Sequence, residues 1–298
     1  MAKNICCLVN MSSGDGSGGQ LARRLSTVCT VIEIDFSSLS SQLKSLNKYD
    51  KIVVVGGDGT ISAVVTHPDL PQRPVSFIPM GTANDLSRSL SIPSRLQFYN
   101  PLRLTSTINS WPTSQLAIWR FTSSNLSVPF CNYCSIGFDG AVIERFEAWR
   151  RKTTLRSRFA NRIAYGLIAV TASKRPLQTI TLKSGSRHLS TRDGILSLVF
   201  SNVQSYLGLG RSNSVGSSSD ALIECIQLNS IRDYLQILLS GVGCVPTPKP
   251  TCSGKTFSLE GISPTSAVQI DGEFLGDIGG ESATISFERF VEISSPSK

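Results

Sequence analysis

Four apolar residues, Ile52 to Val55, run directly into Gly56-Gly57-Asp58-Gly59-Thr60, and a mostly apolar stretch follows to Val65. A short continuous apolar run reads as a buried strand, and the stretch after it as a helix. Three glycines at that junction have a physical use. Without Cβ atoms the backbone N–H groups can approach an anion closely. The helix that follows points its positive N-terminus at the same place. Asp58 is then placed to face a metal ion or a reacting hydroxyl. The plain alternative is a tight strand-to-helix turn with Asp58 as its N-cap.

The same alternation runs through the first third. Strands are predicted at Ile5 to Val9, Val28 to Asp35, Ile52 to Val55 and Val75 to Pro79. Helices are predicted near Gln20 to Leu25, Ser38 to Leu46, Thr60 to Thr66 and Asn84 to Leu90. This pattern argues for an α/β domain, a parallel sheet with helices on both faces, over residues 1–112. Pro93 to Pro112 reads as a proline-punctuated connection. Beyond it short β runs dominate, interrupted by helices at Val142 to Trp149, Arg158 to Ala172 and Ile231 to Leu239. Residues 113–298 are therefore expected to form a β-rich, sandwich-like domain, with the last residues packing back on the first domain.

The chain has 298 residues, 40% hydrophobic and 17% charged, so composition excludes a disordered chain. A net charge of +8 points to an anionic partner, and a nucleotide, a nucleic acid and an acidic membrane surface all satisfy it. Eight cysteines sit mostly among apolar residues, as buried free thiols do. Cys131 and Cys134 form the only CxxC, with no second pair and neither histidine nearby, which argues against zinc. The first ten residues carry no signal-peptide pattern, and no apolar run reaches ~18 residues. A cytoplasmic protein, peripheral at most to a membrane, is expected.

A second turn, Pro79-Met80-Gly81-Thr82-Ala83-Asn84-Asp85, again follows a strand and opens a helix, with Arg88 one turn on. In open parallel sheets, ligands bind at the carboxyl ends of the strands. Two adjacent glycine turns there make a phosphate-sized site. The GGDGT followed by P-x-GT-x-ND-x-x-R resembles the diacylglycerol kinase catalytic domain family, which includes bacterial lipid kinases and the ceramide and sphingosine kinases. Leu8-Val9-Asn10 with the serine–glycine loop after it is similar to the family's opening strand and loop. Asn132 to Asp139, Ile163 to Leu167, Ser201-Asn202 with Tyr206 to Gly210, and Asp271-Gly272-Glu273 match further family segments in the same order.

The resemblance implies an ATP- and Mg²⁺-dependent lipid kinase. It implies that Asn10, Gly56, Gly57, Asp58, Gly59, Thr60, Ile61 and Ser62 bind the nucleotide, with Gly81, Thr82, Asn84 and Arg88 from the second turn. It implies catalytic roles for Glu273, Asp271 and Asp58, with Glu273 favoured as proton acceptor. If the DGE segment is extended, Asp271 and Glu273 share one face; alone, DGE reads as a hairpin turn. The family's second-domain Mg²⁺ site falls on the Asp220 side chain and the carbonyls of Ser217 and Leu222. Ala221 replaces the family glycine there and is strained if φ is positive. Met11 replaces the usual proline of the opening loop, and Gln115 to Trp119 lacks the usual aspartate. The reaction is expected in a cleft between domains, with acyl chains against the β-rich domain. The acceptor is a diacylglycerol-like or related lipid; nucleic acid is not expected, and oligomeric state is not readable.

Rival readings exist. Gly14-x-Gly16-x-x-Gly19, with Glu33 and Asp35 further on, fits a dinucleotide fingerprint, but the GTAND and DGE segments have no role there. An NAD kinase-like enzyme with a soluble acceptor shares GGDGT. A catalytically dead sensor of nucleotide or lipid is opposed by the intact GGDGT and DGE. Arg145, Arg150, Arg151, Lys152, Arg156, Arg158 and Arg162 form a basic stretch, suited to an anionic bilayer or to a solvated helix face.

Overall fold

The computed structural model describes residues 4–14, 16–153, 158–172, 176–185, 187–191, 193–213 and 215–296. They form two compact units, Met1–Ile118 with Arg289–Lys298, and Trp119–Glu288.

The first unit alternates β1 (Ile5–Val9), α1 (Ser17–Leu25), β2 (Thr30–Glu33), α2 (Leu39–Lys44), β3 (Lys51–Gly56), α3 (Asp58–Val65), β4 (Val75–Pro79), α4 (Asp85–Ser89) and α5 (Pro101–Ser110). The four strands pair in parallel in the order β2-β1-β3-β4. β1, β3 and β4 are buried along their whole length, which is why they read as continuous apolar runs and not as alternation. Parallel pairing in register, Val9 beside Val55 and Gly56 beside Pro79, brings the carboxyl ends of three strands to one edge. The expected parallel α/β architecture is therefore present.

Helix α5 departs from the expectation for Pro93 to Pro112. Asn100 caps it by accepting from Arg103 N at 2.7 Å, and Pro101 occupies its first turn, where a missing N–H costs nothing. At its other end Lys51 Nζ, buried in β3, donates to the carbonyl of Ile108 at 2.8 Å. The lysine charge thus meets the negative end of the helix dipole.

The chain enters the second unit within β5 (Thr113–Ser123) and continues through β6 (Ser127–Phe130), β7 (Tyr133–Gly137), α6 (Phe138–Lys152) and α7 (Arg158–Thr171). Then come β8 (Thr181–Ser184), β9 (Arg187–Ser190), β10 (Ser197–Ser201), β11 (Ser205–Tyr206), β12 (Gly210–Arg211), β13 (Ile223–Leu228) and α8 (Ile231–Ser240). The last strands are β14 (Cys252–Gly254), β15 (Thr256–Glu260), β16 (Ala267–Ile270), β17 (Glu273–Asp277) and β18 (Ser282–Ser294), and the chain leaves the unit within β18. One antiparallel sheet runs β14-β13-β10-β7-β16-β17. In another group β15 pairs antiparallel with β8 and with the start of β18, and β8 with β9. This is the expected β-rich unit.

None of the eight cysteines is in a disulfide, and five are buried. Among the described residues no helix is long and apolar enough to cross a membrane. Of the basic stretch, Arg156 and the side chains of Arg158 and Arg162 lie outside the described residues.

Candidate functional site

The first unit brings the two glycine turns against each other. A Cβ on Gly81 would stand 2.7 Å from Gly57 Cα, so only glycine permits this approach. Asp58 begins α3, and Gly57 is its N-cap. The Asp58 carboxylate accepts from the backbone N–H of Asp85 at 2.9 Å and of Leu86 at 3.4 Å. It thus caps α4 and binds one turn to the other. Asn84 enters α4 in the left-handed region at φ 54°, a conformation asparagine tolerates. Its Nδ2 donates to Gly81 O at 2.7 Å, while its Oδ1 is buried with no partner.

Asn10 joins this group from the end of β1, its Nδ2 donating to Thr60 Oγ1 at 2.8 Å. The opening loop, GGDGT and GTAND therefore converge. Thr60 is buried and Ile61 fully so, leaving Ile61 only its backbone for any ligand, whereas Ser62 is half-buried and Thr82 and Arg88 are exposed. The far end of α3 is closed by Arg289, which donates to the carbonyls of Val65 at 3.3 Å and His67 at 2.9 Å. Of the dinucleotide-type acids, Asp35 is committed to the hydroxyls of Ser37 and Ser38 at 2.7 Å.

In the second unit Asp271 and Glu273 take different environments. The DGE segment is not extended: Asp271 has φ 50° and Gly272 φ 87°, and Ile270 pairs with Glu273 across a two-residue hairpin. Two consecutive left-handed residues are what an Asp-Gly hairpin turn demands. Asp271 and Glu273 therefore do not share a strand face. The Asp271 carboxylate accepts from the backbone N–H of Cys131, Asn132 and Tyr133 at 3.1, 2.8 and 3.1 Å. Asn202 braces that loop, donating through Nδ2 to Cys131 O at 2.7 Å and through its backbone to Asn132 O at 2.8 Å.

Glu273 reaches solvent beside Glu147 of α6, whose Oε1 accepts from Phe274 N at 2.9 Å. Partial burial first, then the Glu147 and Asp271 charges, hold Glu273 above its ordinary carboxylate range. Glu147 carried no signal of its own in the sequence; only the α6–β17 packing reveals it.

Asp139 was legible only as part of a matching segment. It is fully buried and accepts from Ser135 Oγ at 2.6 Å, Tyr234 OH at 2.7 Å, Gln269 Nε2 at 3.1 Å, Tyr165 OH at 3.3 Å and Tyr206 OH. Burial and the Asp139 charge push the phenols of Tyr206 and Tyr234 well above their usual range. Gln269 Oε1 in turn accepts from Gly272 N at 3.0 Å, so this network reaches the hairpin that carries Glu273.

The expected Mg²⁺ loop offers oxygen donors only, the kind Mg²⁺ prefers. Asp220 is half-buried; its N–H donates to Ser217 O at 3.4 Å, and its Oδ1 accepts from Leu222 N at 3.1 Å. Nearby Glu224 is buried, and its Oε2 has no hydrogen-bond partner. Burial and the Asp220 charge raise its pKa to about 7. A cation would relieve that uncompensated acid, so the residues fit the metal. Ala221 does not have positive φ, which removes the strain expected of alanine there.

Two family models cover most of the chain: residues 4–110 match the diacylglycerol kinase catalytic domain and residues 129–274 the diacylglycerol kinase accessory domain. Human diacylglycerol kinase iota is 26% identical over 192 residues, 55% of this chain and 18% of that protein. Arabidopsis thaliana diacylglycerol kinase 2 is 27% identical over 192 residues, 55% of this chain and 27% of that protein. The chain thus spans 18% to 27% of the length of these curated relatives. A diacylglycerol kinase from Bacillus anthracis shares the fold, with TM-score 0.66 at 14% identity over 98% of this chain and 97% of that one. Yeast NADH kinase, solved with NADH, matches at TM-score 0.53 and 12% identity over all of this chain and 84% of that one. On two family matches that follow one another along nearly its whole length, the chain belongs to the diacylglycerol kinase family.

Proposed function

We propose that this chain is a lipid kinase that transfers the γ-phosphoryl group of ATP to a hydroxyl of a diacylglycerol-like lipid. The observation that carries this reading is the division of labour in the DGE hairpin. Asp271 is committed to three peptide N–H groups, while Glu273 stays accessible with a raised proton affinity. A carboxylate tuned upward in this way suits a general base near neutral pH.

The first unit holds the nucleotide. The N-terminus of α3 and the apposed backbones of Gly57 and Gly81 receive phosphate oxygens, and Asn10 fixes Thr60 beside them. Asp58 holds the second turn in place through α4. When bound, Mg²⁺ would supply charge neutralisation for the phosphates, and phosphoryl transfer then needs mainly positioning. A further Mg²⁺ would sit on Asp220 and the carbonyls of Ser217 and Leu222, beside Glu224. Glu273 takes the proton of the lipid hydroxyl as that oxygen attacks. The acceptor is presented by a bilayer, which makes an anionic membrane surface the second partner.

The test is a panel of lipids and NAD offered with labelled ATP and Mg²⁺. Wild type labels a lipid, and Glu273→Ala lowers its turnover by roughly 10²–10⁴-fold with nucleotide binding intact. Labelled NAD with no labelled lipid would replace this reading with the soluble-acceptor one. Nucleotide binding without any turnover would replace it with the sensor.

A further inference from the structure

Helix α7 buries Ala164, Tyr165, Ala169 and, just past its end, Ala172, and Tyr165 OH reaches Asp139. Among the described side chains these form the inward face. The outward face of a surface helix is ordinarily polar. Here it carries Ile163, Leu167 and Val170, which are 48%, 63% and 57% exposed. Their spacing of four and three places them on one stripe, about 10 Å long at 1.5 Å per residue.

Helix α6 packs against α7, joined by Phe146 on Tyr165 at 5.3 Å between rings and by Arg145 Nη1 donating to Thr171 O at 3.2 Å. The last turn of α6 ends in exposed Arg150, Arg151 and Lys152. Arg150 lies over the Phe146 ring at 5.9 Å, and Arg151 has a 3.8 Å ion pair with Glu147. An apolar ridge and a cluster of cations thus belong to one helix pair.

We propose that this ridge, with the basic end of α6, docks the second unit on an anionic bilayer. The inference rests on the lipid-kinase reading and names the surface that meets the substrate's membrane. Anionic headgroups complement the cations, and acyl chains accept the ridge, as for an interfacial helix. A second copy of the chain fits less well. Three side chains fall short of the ~1,000 Å² a stable interface buries, and a symmetric pairing would bring like charges together.

The experiment compares wild type with Ile163→Ser/Leu167→Ser/Val170→Ser and with Arg150→Glu/Lys152→Glu. Binding to vesicles of phosphatidylcholine, with and without phosphatidylserine, is measured by co-sedimentation, and thermal melts confirm folding. Wild type prefers the anionic vesicles, and each variant binds them about tenfold or more weakly. Turnover of a short-chain diacylglycerol dissolved as monomers stays unchanged, while turnover of the vesicle-embedded lipid falls. Undiminished vesicle binding by the ridge variant overturns the proposal. So does a ridge variant whose one change is the loss of a dimer in solution. Ridge-dependent vesicle binding with no turnover of either lipid form upholds the surface and removes the kinase reading instead.

Discussion

Two acidic residues two positions apart take opposite roles because of what surrounds them. Asp271 is held by peptide donors from residues 131–133, nearly 140 positions away in sequence. Glu273 is held by nothing comparable and sits beside another carboxylate. A local sequence signal names both acids and cannot separate them, since the separation comes from long-range contacts. The same distance hides Asp139, whose partners come from α7, β11, α8 and β16 as well as from its own neighbourhood. The consequence for Glu273 can be measured. Its pKa is raised, so it is protonated, and unable to accept a proton, up to a higher pH than an ordinary glutamate. Activity should therefore rise with pH through that raised value. Glu147→Gln keeps an oxygen for Phe274 N but removes one repelling charge, so the acidic limb of the kcat profile should move to lower pH. A limb that stays in place would show that Glu147 only holds the hairpin.

At the scale of elements, legibility follows periodicity. β1 and β4 are legible to the residue because buried strands of apolar residues end sharply at turn residues. β17 is not legible, because Glu273-Phe274-Leu275-Gly276-Asp277 is half exposed and its glycine breaks any alternation. Helix α5 is hidden for a different reason: the prolines of the stretch around it read as punctuation. Pro101 is the first residue of the helix, and Asn100 before it is the cap, so the breaker was a start signal. The interpretation has a cost attached. Asn100→Ala removes the acceptor of Arg103 N, and thermal or denaturant unfolding should show a loss of about 1 kcal/mol. Asn100→Asp, which keeps an acceptor, should cost little.

For the molecule as a whole, the order of motifs is enough to give the family, because each motif is local and their sequence along the chain is the family's. What motif order does not carry is how acid is balanced within a unit, and there Glu224 stands out. Its pKa is about 7 in the folded chain against 4.5 as an ordinary glutamate. The folded state therefore binds this proton more tightly than the unfolded state. Stability from that proton is fully present below pH 4.5 and is lost as pH rises through 7. The loss is at most about 3 kcal/mol, from 1.36 kcal/mol per pKa unit. Carboxylates held low, such as Asp35 and Asp69, titrate below their ordinary 3.8 and leave this window undisturbed. With a chelator present, unfolding free energy should fall between pH 5 and pH 8, and Glu224→Gln should flatten the slope. Adding Mg²⁺ at pH 8 should restore stability to wild type, because the cation takes the place of the proton beside Asp220. Glu224→Gln should respond less, and Asp220→Ala not at all. A wild-type slope untouched by Mg²⁺ would mean that the buried glutamate answers to protons alone.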